Sequence, residues 1–296
     1  MKGFLTILKV FATLVVLGVL GGLIFFLKTF QEEYAPPGAG LDRPLEQIVQ
    51  DNEVIGFEPG QREFNRALQL IALDKLDEAL EKLLFIQNLY PDSSQGPEAR
   101  RILGEINLDR ILSVENMSNK KVHIVAPGDG YLKIATVNET TLDSIMFLNG
   151  LLDMRALHTG DELIVMPLDF KLVVDLKRAR VELFHRDQEK KEHVFVKDYP
   201  IRKLDVGRLP GRAIQTKVSR KQGELNGRAF QPTHPSYSHA LKVLGFKVGK
   251  TFLQLRPVPE ADAEEPGRGI FLLASDMEEL SMLIRIGNEV EVKPAQ

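Results

Sequence analysis

The sequence predicts a multidomain α+β chain: an N-terminal transmembrane helix, an α-helical hairpin, a small βααβ module and a mostly-β C-terminal domain. Three observations predict it: an uncharged apolar run at residues 10–27, helical apolar spacing from Arg62 to Leu112, and period-two alternation after Pro167. The 296 residues suffice for several modules, and 44% hydrophobic with 27% charged residues is a globular balance. A formal net charge of −3, with no basic stripe interleaved with aromatics, sets nucleic acid aside as a partner. The absence of cysteine removes disulfides, thiolate metal sites and thiol catalysis together, and suits an extracytoplasmic protein. No motif asks for a cofactor or a metal.

As a helix, Val10 to Leu27 spans roughly 27 Å at about 1.5 Å per residue, close to the hydrocarbon core of about 30 Å. Phe4, Leu5, Ile7 and Leu8 extend it backward, with Lys9 snorkelling toward the headgroups. Lys2 and Lys9 precede the run while Glu32 and Glu33 follow Lys28, so the positive-inside rule places the N-terminus in the cytoplasm. Residues 1–28 are therefore expected to be a single-pass anchor in the inner membrane, with the bulk outside. The competing reading, a cleaved leader, wants a shorter apolar region and a nearby small-x-small site, whereas Ala35 lies far from the run beside Pro36. Residues 29–60, with Pro36, Pro37, Pro44, Pro59 and several glycines, read as a tether.

Residues 61–115 turn helical. Phe64, Ala67, Leu68 and Ile71 form one face and Leu76, Ala79, Leu80, Leu83 and Leu84 another; Ala99, Ile102, Leu103 and Ile106 follow a break bracketed by Pro91 and Pro97. With Ala79 at a small-residue packing position, Pro91 ending a helix, and Ala99 and Gly104 in the next, this stretch resembles a tetratricopeptide-type helix pair. The match covers little more than one repeat, and one repeat alone cannot bury both faces. Two roles stand open: a groove or dimer contact for a protein partner, or a spacer docked on the next domain.

The segment 121–168 has the most specific pattern. His123 and Val125 alternate as a strand, Pro127 to Gly130 make a turn, and Tyr131 to Val137 start a helix. A second helix runs through Thr141, Ile145 and Leu148 to Asn149 and Gly150; Gly160 and Asp161 turn into a strand with Leu163 and Val165. The PGD turn, Ile134 and Ala135, Asn149, the TGDEL turn, and Met166 with Pro167 resemble a LysM domain along its full length. That resemblance implies a shallow groove for N-acetylglucosamine-containing glycan, hence peptidoglycan strands as partner. It places Gly128, Asp129, Gly130 and Tyr131 on one side and Leu151, Leu152, Asp153 and Met154 on the other. Gly130 stands where the family commonly has Thr or Ser. A fold kept only as structure is the alternative.

Residues 169–296 open with FKLVVDLKRARVELFHRD and HVFVKDYPIRKL, two alternating stretches that read as a β-hairpin. This opening, and the closing RGIFLLASDMEELSMLIRIGNEVEVKP, are similar to the two ends of an L,D-transpeptidase domain. Catalysis in that family implies a cysteine nucleophile, a histidine and an arginine. Here Gly267 takes the serine position of the motif, Ile270 the nucleophile's, Leu272 the arginine's and Arg256 the histidine's. The resemblance thus implies a domain without its chemistry. It would then either keep a peptide-binding surface, in which Arg256 and Arg268 meet stem-peptide carboxylates or are merely solvated, or act as a partner of active enzymes. The alternative is an active transpeptidase or wall hydrolase with an unconventional nucleophile. His234 and His239 lie near Ser236 and Ser238, with Asp262 or Glu264 as orienting acid, but no nucleophile-elbow motif supports a triad. The stretch reads as a polar surface loop without metal ligands. Asp205, Asp262, Glu264 and Glu265 do not form a recognisable glycosidase pair.

Overall fold

The computed structural model describes residues 58–152, 156–186, 192–207, 209–259 and 268–295. The expected membrane span and most of the tether lie outside them. Among the described residues no helix is long and apolar enough to cross a membrane. Residues 58–296 form one compact unit in which helices, βααβ module and sheet share packing.

Three helices open it: α1 (Gln61–Ala72), α2 (Leu76–Leu89) and α3 (Gly96–Leu112). Their common core is Ala67, Leu80, Leu83, Ile86, Ala99 and Leu103. The expected faces need correction at one position in α1 and at two in α2, where Leu76 is 38% exposed. Leu68 and Leu84 are 43% and 44% exposed, while Leu70 and Ile86 are buried in their place. Both helices follow the i, i+3 alternative within the apolar set, which spacing alone does not distinguish from i, i+4.

The third helix lies along a sheet edge. Asn107 Nδ2 donates to the carbonyls of Phe195 and Val196 (3.4 and 3.3 Å), and a Cβ added to Gly104 would stand 3.2 Å from Lys197 Cα. Glycine is needed there for the close approach. Arg100 donates to Glu182 and to Asp198, both at 2.8 Å, and stacks on the Phe195 ring at 3.9 Å. Docking on the following domain is thus where the last helix buries its second face.

The βααβ module comprises β1 (Lys121–Ile124), α4 (Tyr131–Val137), α5 (Leu142–Leu148) and β2 (Glu162–Val165), in the expected order. After it come β3 (Phe170–Asp175), β4 (Arg180–Arg186), β5 (His193–Pro200), β6 (Lys203–Asp205), β7 (Ile214–Leu225), β8 (Arg228–Phe230), β9 (Leu241–Val248), β10 (Thr251–Pro257), β11 (Gly269–Leu272), α6 (Ala274–Leu283) and β12 (Glu289–Lys293). The sheet order is β5-β4-β3-β12-β7-β9-β10-β11-β6, with β8 paired to β7. Strand β12 runs parallel to β3 and antiparallel to β7, so it joins the two halves of the sheet.

The expected single hairpin is instead a three-strand meander, because FKLVVDLKRARVELFHRD is itself a hairpin: Asp175 pairs with Arg180 and Phe170 with His185. Its turn uses Ala179 at φ 50°, a left-handed residue without the glycine or asparagine that would have marked it. Lys203 to Asp205 leaves that meander and pairs with β11 at the far edge.

The main core collects Leu172, Val174, Leu183, Val218, Leu244, Phe246, Leu253, Ile270, Leu280 and Val290 from sheet and α6. Leu108 of α3, Leu148 of α5, and Met166 and Leu168 after β2 belong to the same cluster. At about 25 cal/mol per Å² of apolar area removed from water, such shared burial holds the parts together more strongly than any single polar contact.

Candidate functional site

In the βααβ module, β1 and β2 pair antiparallel, with Lys121 opposite Val165 and Ile124 opposite Glu162. Gly130 enters α4 in extended conformation and its carbonyl accepts the N–H of Ile134 at 2.9 Å. Thr141 caps α5 by accepting from Ser144 N at 3.1 Å. Val125, Ile134, Ala135, Leu142, Ile145, Leu163 and Val165 form the core, with Tyr131, Leu151 and Leu157 packed on it from the rim. Asn149 ties helix to strand: Nδ2 donates to Ile145 O and Ile164 O (2.7 and 2.8 Å), and Oδ1 accepts from Ile164 N at 2.8 Å. The end of β1 and the turn before β2 are held together by backbone bonds, Val125 N to Asp161 O and Gly160 N to Val125 O, both 2.8 Å.

On the first loop, Gly128 adopts φ 80°, and a Cβ at Gly128 or Gly130 would meet open space. Tyr131 is half-buried, and its hydroxyl is buried without a protein partner. On the second loop Leu151 is half-buried and Leu152 is 93% exposed. Asp153 and Met154 lie outside the described residues. Asp129 has a more local role than its place on the rim suggested. Oδ2 accepts from Ala126 N at 3.0 Å and meets His123 Nε2 at 3.0 Å, while Oδ1 pairs with Lys133 at 2.9 Å. The Ala126 N–H, then Lys133 and His123, hold its carboxyl well below the usual carboxylate range.

Strands β10 and β11 run parallel, with Leu255 opposite Ile270 and Arg256 opposite Phe271. Ile270 and Leu272, expected from the resemblance to stand at the nucleophile and arginine positions, are fully buried in the main core. Gly267 lies outside the described residues. Arg256 is not simply solvated: Nη2 donates to Glu224 at 2.6 Å and Nη1 to Gln254 at 3.3 Å. Arg268 lies against Gly207, where an added Cβ would be 3.3 Å from its Nη1.

The expected polar loop around His234 is a short 3-10 turn, Pro235–Tyr237. His234 Nδ1 accepts the N–H of Ser236 at 3.1 Å, and its ring packs on Phe230 with centroids 4.7 Å apart. This imidazole therefore shapes the turn. Asp205 and His239 are exposed, and Asp262, Glu264 and Glu265 lie outside the described residues.

Tyr237 was missed as a structural residue. It is buried, and its hydroxyl stands 3.0 Å from Ser281 Oγ and 3.3 Å from Asp143 Oδ2. Lys221 of β7 reaches the same carboxylate at 2.8 Å and donates to Ser281 O, joining α5, β7 and α6. Burial pushes the Lys221 ammonium below its ordinary pKa, opposed by Asp143, and burial pushes the Tyr237 phenol up. No sequence pattern marks this cluster, because its members come from four separate segments. The second missed cluster is Arg100, Arg180, Glu182 and Asp198; burial and the Arg100 charge lower the Arg180 pKa. Both clusters tie the parts of the unit together.

No family model matches the chain, and no curated protein matches it. Among solved structures, the chain is similar over 42% of its length to a fused Zn-dependent amidase/peptidase/peptidoglycan-binding domain-containing protein from Clostridium acetobutylicum (12% identity, 51% of that chain, TM-score 0.28). It is similar over 43% to an L,D-transpeptidase from Stackebrandtia nassauensis (18% identity, 58% of that chain, TM-score 0.27). It is similar over 46% to an L,D-transpeptidase from Mycobacterium smegmatis (11% identity, 64% of that chain, TM-score 0.27). The chain spans less than two thirds of each.

Proposed function

We propose that the chain is a cell-envelope protein that binds peptidoglycan glycan through its βααβ module, acting as a LysM domain. One observation carries the reading: a bare backbone turn at Gly128 and Gly130 shares a module rim with half-buried Tyr131 and Leu151 and with Leu152, whose side chain is 93% exposed. A turn left open beside its two glycines lets a sugar ring approach the backbone closely. Apolar side chains suit its less polar faces. Asp129 then serves the site indirectly, by fixing the turn.

In this reading residues 1–28 anchor the chain in the inner membrane and the tether lets the module reach the wall. Weak binding by one shallow groove suffices, because anchoring and a repetitive ligand raise the effective concentration. The C-terminal domain acts as a platform without transpeptidase chemistry, in keeping with Ile270 and Leu272 being core residues.

The test uses the full chain in detergent, mixed with insoluble peptidoglycan sacculi, with pelleting and muropeptide release measured together. Pelleting that is lost when Leu152 is replaced by Asp, with no product released, is expected. Release of cleaved or newly cross-linked muropeptides would overturn the non-catalytic reading. Unchanged pelleting by Leu152→Asp and by a Gly128→Val/Gly130→Val variant would overturn the assigned rim.

A further inference from the structure

The chain contains two Asn-Gly steps, Asn149-Gly150 and Asn226-Gly227, and the fold treats them in opposite ways. The dipeptide is chemically reactive, because a glycine N–H with no side chain to crowd it can attack the amide carbon of the asparagine before it. Reaction requires both groups to be free to meet.

Asn149 is half-buried and tied down. Its Nδ2 donates to Ile145 O and Ile164 O, its Oδ1 accepts from Ile164 N, and Gly150 N donates to Phe147 O at 3.1 Å. The amide and the attacking nitrogen are therefore both engaged.

Asn226 and Gly227 are the central residues of the β7–β8 hairpin, between the paired Leu225 and Arg228. They adopt φ 50° and 72°, the left-handed pair that a tight two-residue turn requires. Both are exposed. Among the described residues no hydrogen bond holds the Asn226 side chain, and no backbone bond takes up Gly227 N. A Cβ added to Gly227 would meet open space, so no neighbour shields that nitrogen. Strand β8 is held to β7 by three residue pairs, so this tip opens locally at a small fraction of the cost of unfolding.

We propose that Asn226 is a site of spontaneous covalent modification. Gly227 N gives up its proton to the solvent and bonds to Asn226 Cγ; the Cγ–Nδ2 bond breaks, ammonia leaves, and a five-membered imide closes. Water then opens the ring. Cleavage between the nitrogen and Cγ gives aspartate, and cleavage between the nitrogen and the main-chain carbonyl carbon gives isoaspartate, whose backbone runs through Cβ and Cγ and is longer by a carbon. Either product adds a carboxylate to the hairpin tip, and isoaspartate no longer fits the two-residue turn, which loosens β8.

The test incubates the full chain in detergent at mildly alkaline pH, with and without urea, and follows tryptic peptides by mass spectrometry over time. Trypsin releases Asn226 within residues 222–228 and Asn149 within residues 134–155. In the folded chain the first peptide is expected to gain the mass difference between an amide and an acid. Asn149 is expected to convert at least about a hundredfold more slowly, a factor equivalent to about 2.7 kcal/mol and within reach of its three hydrogen bonds. In urea the two rates are expected to converge, because both steps then have the same local chemistry. Asn226 remaining intact in the folded chain would overturn the proposal, whatever happens in urea. So would Asn149 keeping pace with it while folded. None of these readouts depends on glycan binding at the rim.

Discussion

Replacing Asp143 by Ala removes the one carboxylate that, among the described residues, pairs with Lys221, and the burial of the two partners sets the magnitude. The Lys221 side chain is 4% exposed, whereas that of Asp143 is 24% exposed. Asp143→Ala therefore strands an ammonium with no counter-charge in contact, at a cost of about 3–5 kcal/mol. Lys221→Met keeps the stem's volume and leaves a carboxylate that water can still reach, at about 1–2 kcal/mol. The double variant should cost less than the sum of the singles by about 1.5 kcal/mol or more, as expected for groups in direct contact. Urea unfolding followed by far-UV circular dichroism measures all four proteins. In heating experiments Asp143→Ala should lower the Tm by about 10 °C, given about 2–4 °C per kcal/mol for a unit of this size.

Alkaline pH gives a second readout. The folded pKa of Lys221 lies below its unfolded value, so between the two the unfolded chain holds more protons and this group's contribution to stability rises with pH. Its burden is full below the folded pKa and lifts as pH passes the ordinary lysine value. Tyr237, pushed up by burial, acts in the opposite direction above the ordinary tyrosine value. The difference between wild type and Lys221→Met isolates the lysine. A cost for Asp143→Ala smaller than that for Lys221→Met would refute the assignment of the buried charge to the ammonium.

Three further outcomes are expected. Asn149→Ala removes three hydrogen bonds and leaves Ile164 N without its side-chain partner, so it should cost about 2–4 kcal/mol in urea unfolding. Leu152→Asp should change stability by less than about 0.5 kcal/mol, as for an exposed position, while reducing sacculus pelleting; a large loss of stability would show that Leu152 packs within the protein. Asp129→Asn should flatten the acid limb of the stability profile. A carboxyl whose pKa is lowered on folding contributes stability above its unfolded value, and that stability is lost as pH falls toward the folded one.

The helices and the βααβ order were legible because their apolar residues repeat at clean helical or alternating spacing and their turns carry glycine. Asn149 was legible as a backbone-bonding residue, but its bonds to Ile164 in β2 needed the fold to bring the strand beside it. The turn before Arg180 was hidden because Ala179 takes the left-handed conformation without a residue that favours it. Strand β7 reads IQTKVSRKQGEL, with few apolar residues and no alternation; Lys221 is nevertheless buried because Asp143 of α5 and Ser281 of α6 supply its partners. Such burial is a property of the assembled unit, invisible to any window along the chain.

The placement of β12 has a consequence for how the protein is made. The strand joining the two halves of the sheet is also the last strand among the described residues, about 114 residues after its parallel neighbour β3. At about 5–20 residues per second, roughly 6–23 s of synthesis separate the two. During that interval β3 and β7 each carry an unsatisfied flank, the kind of open ladder that recruits strands from other molecules. A chain cut short before Glu289 would therefore have a meander and remaining strands with nothing to stitch them, making it a substrate for proteases.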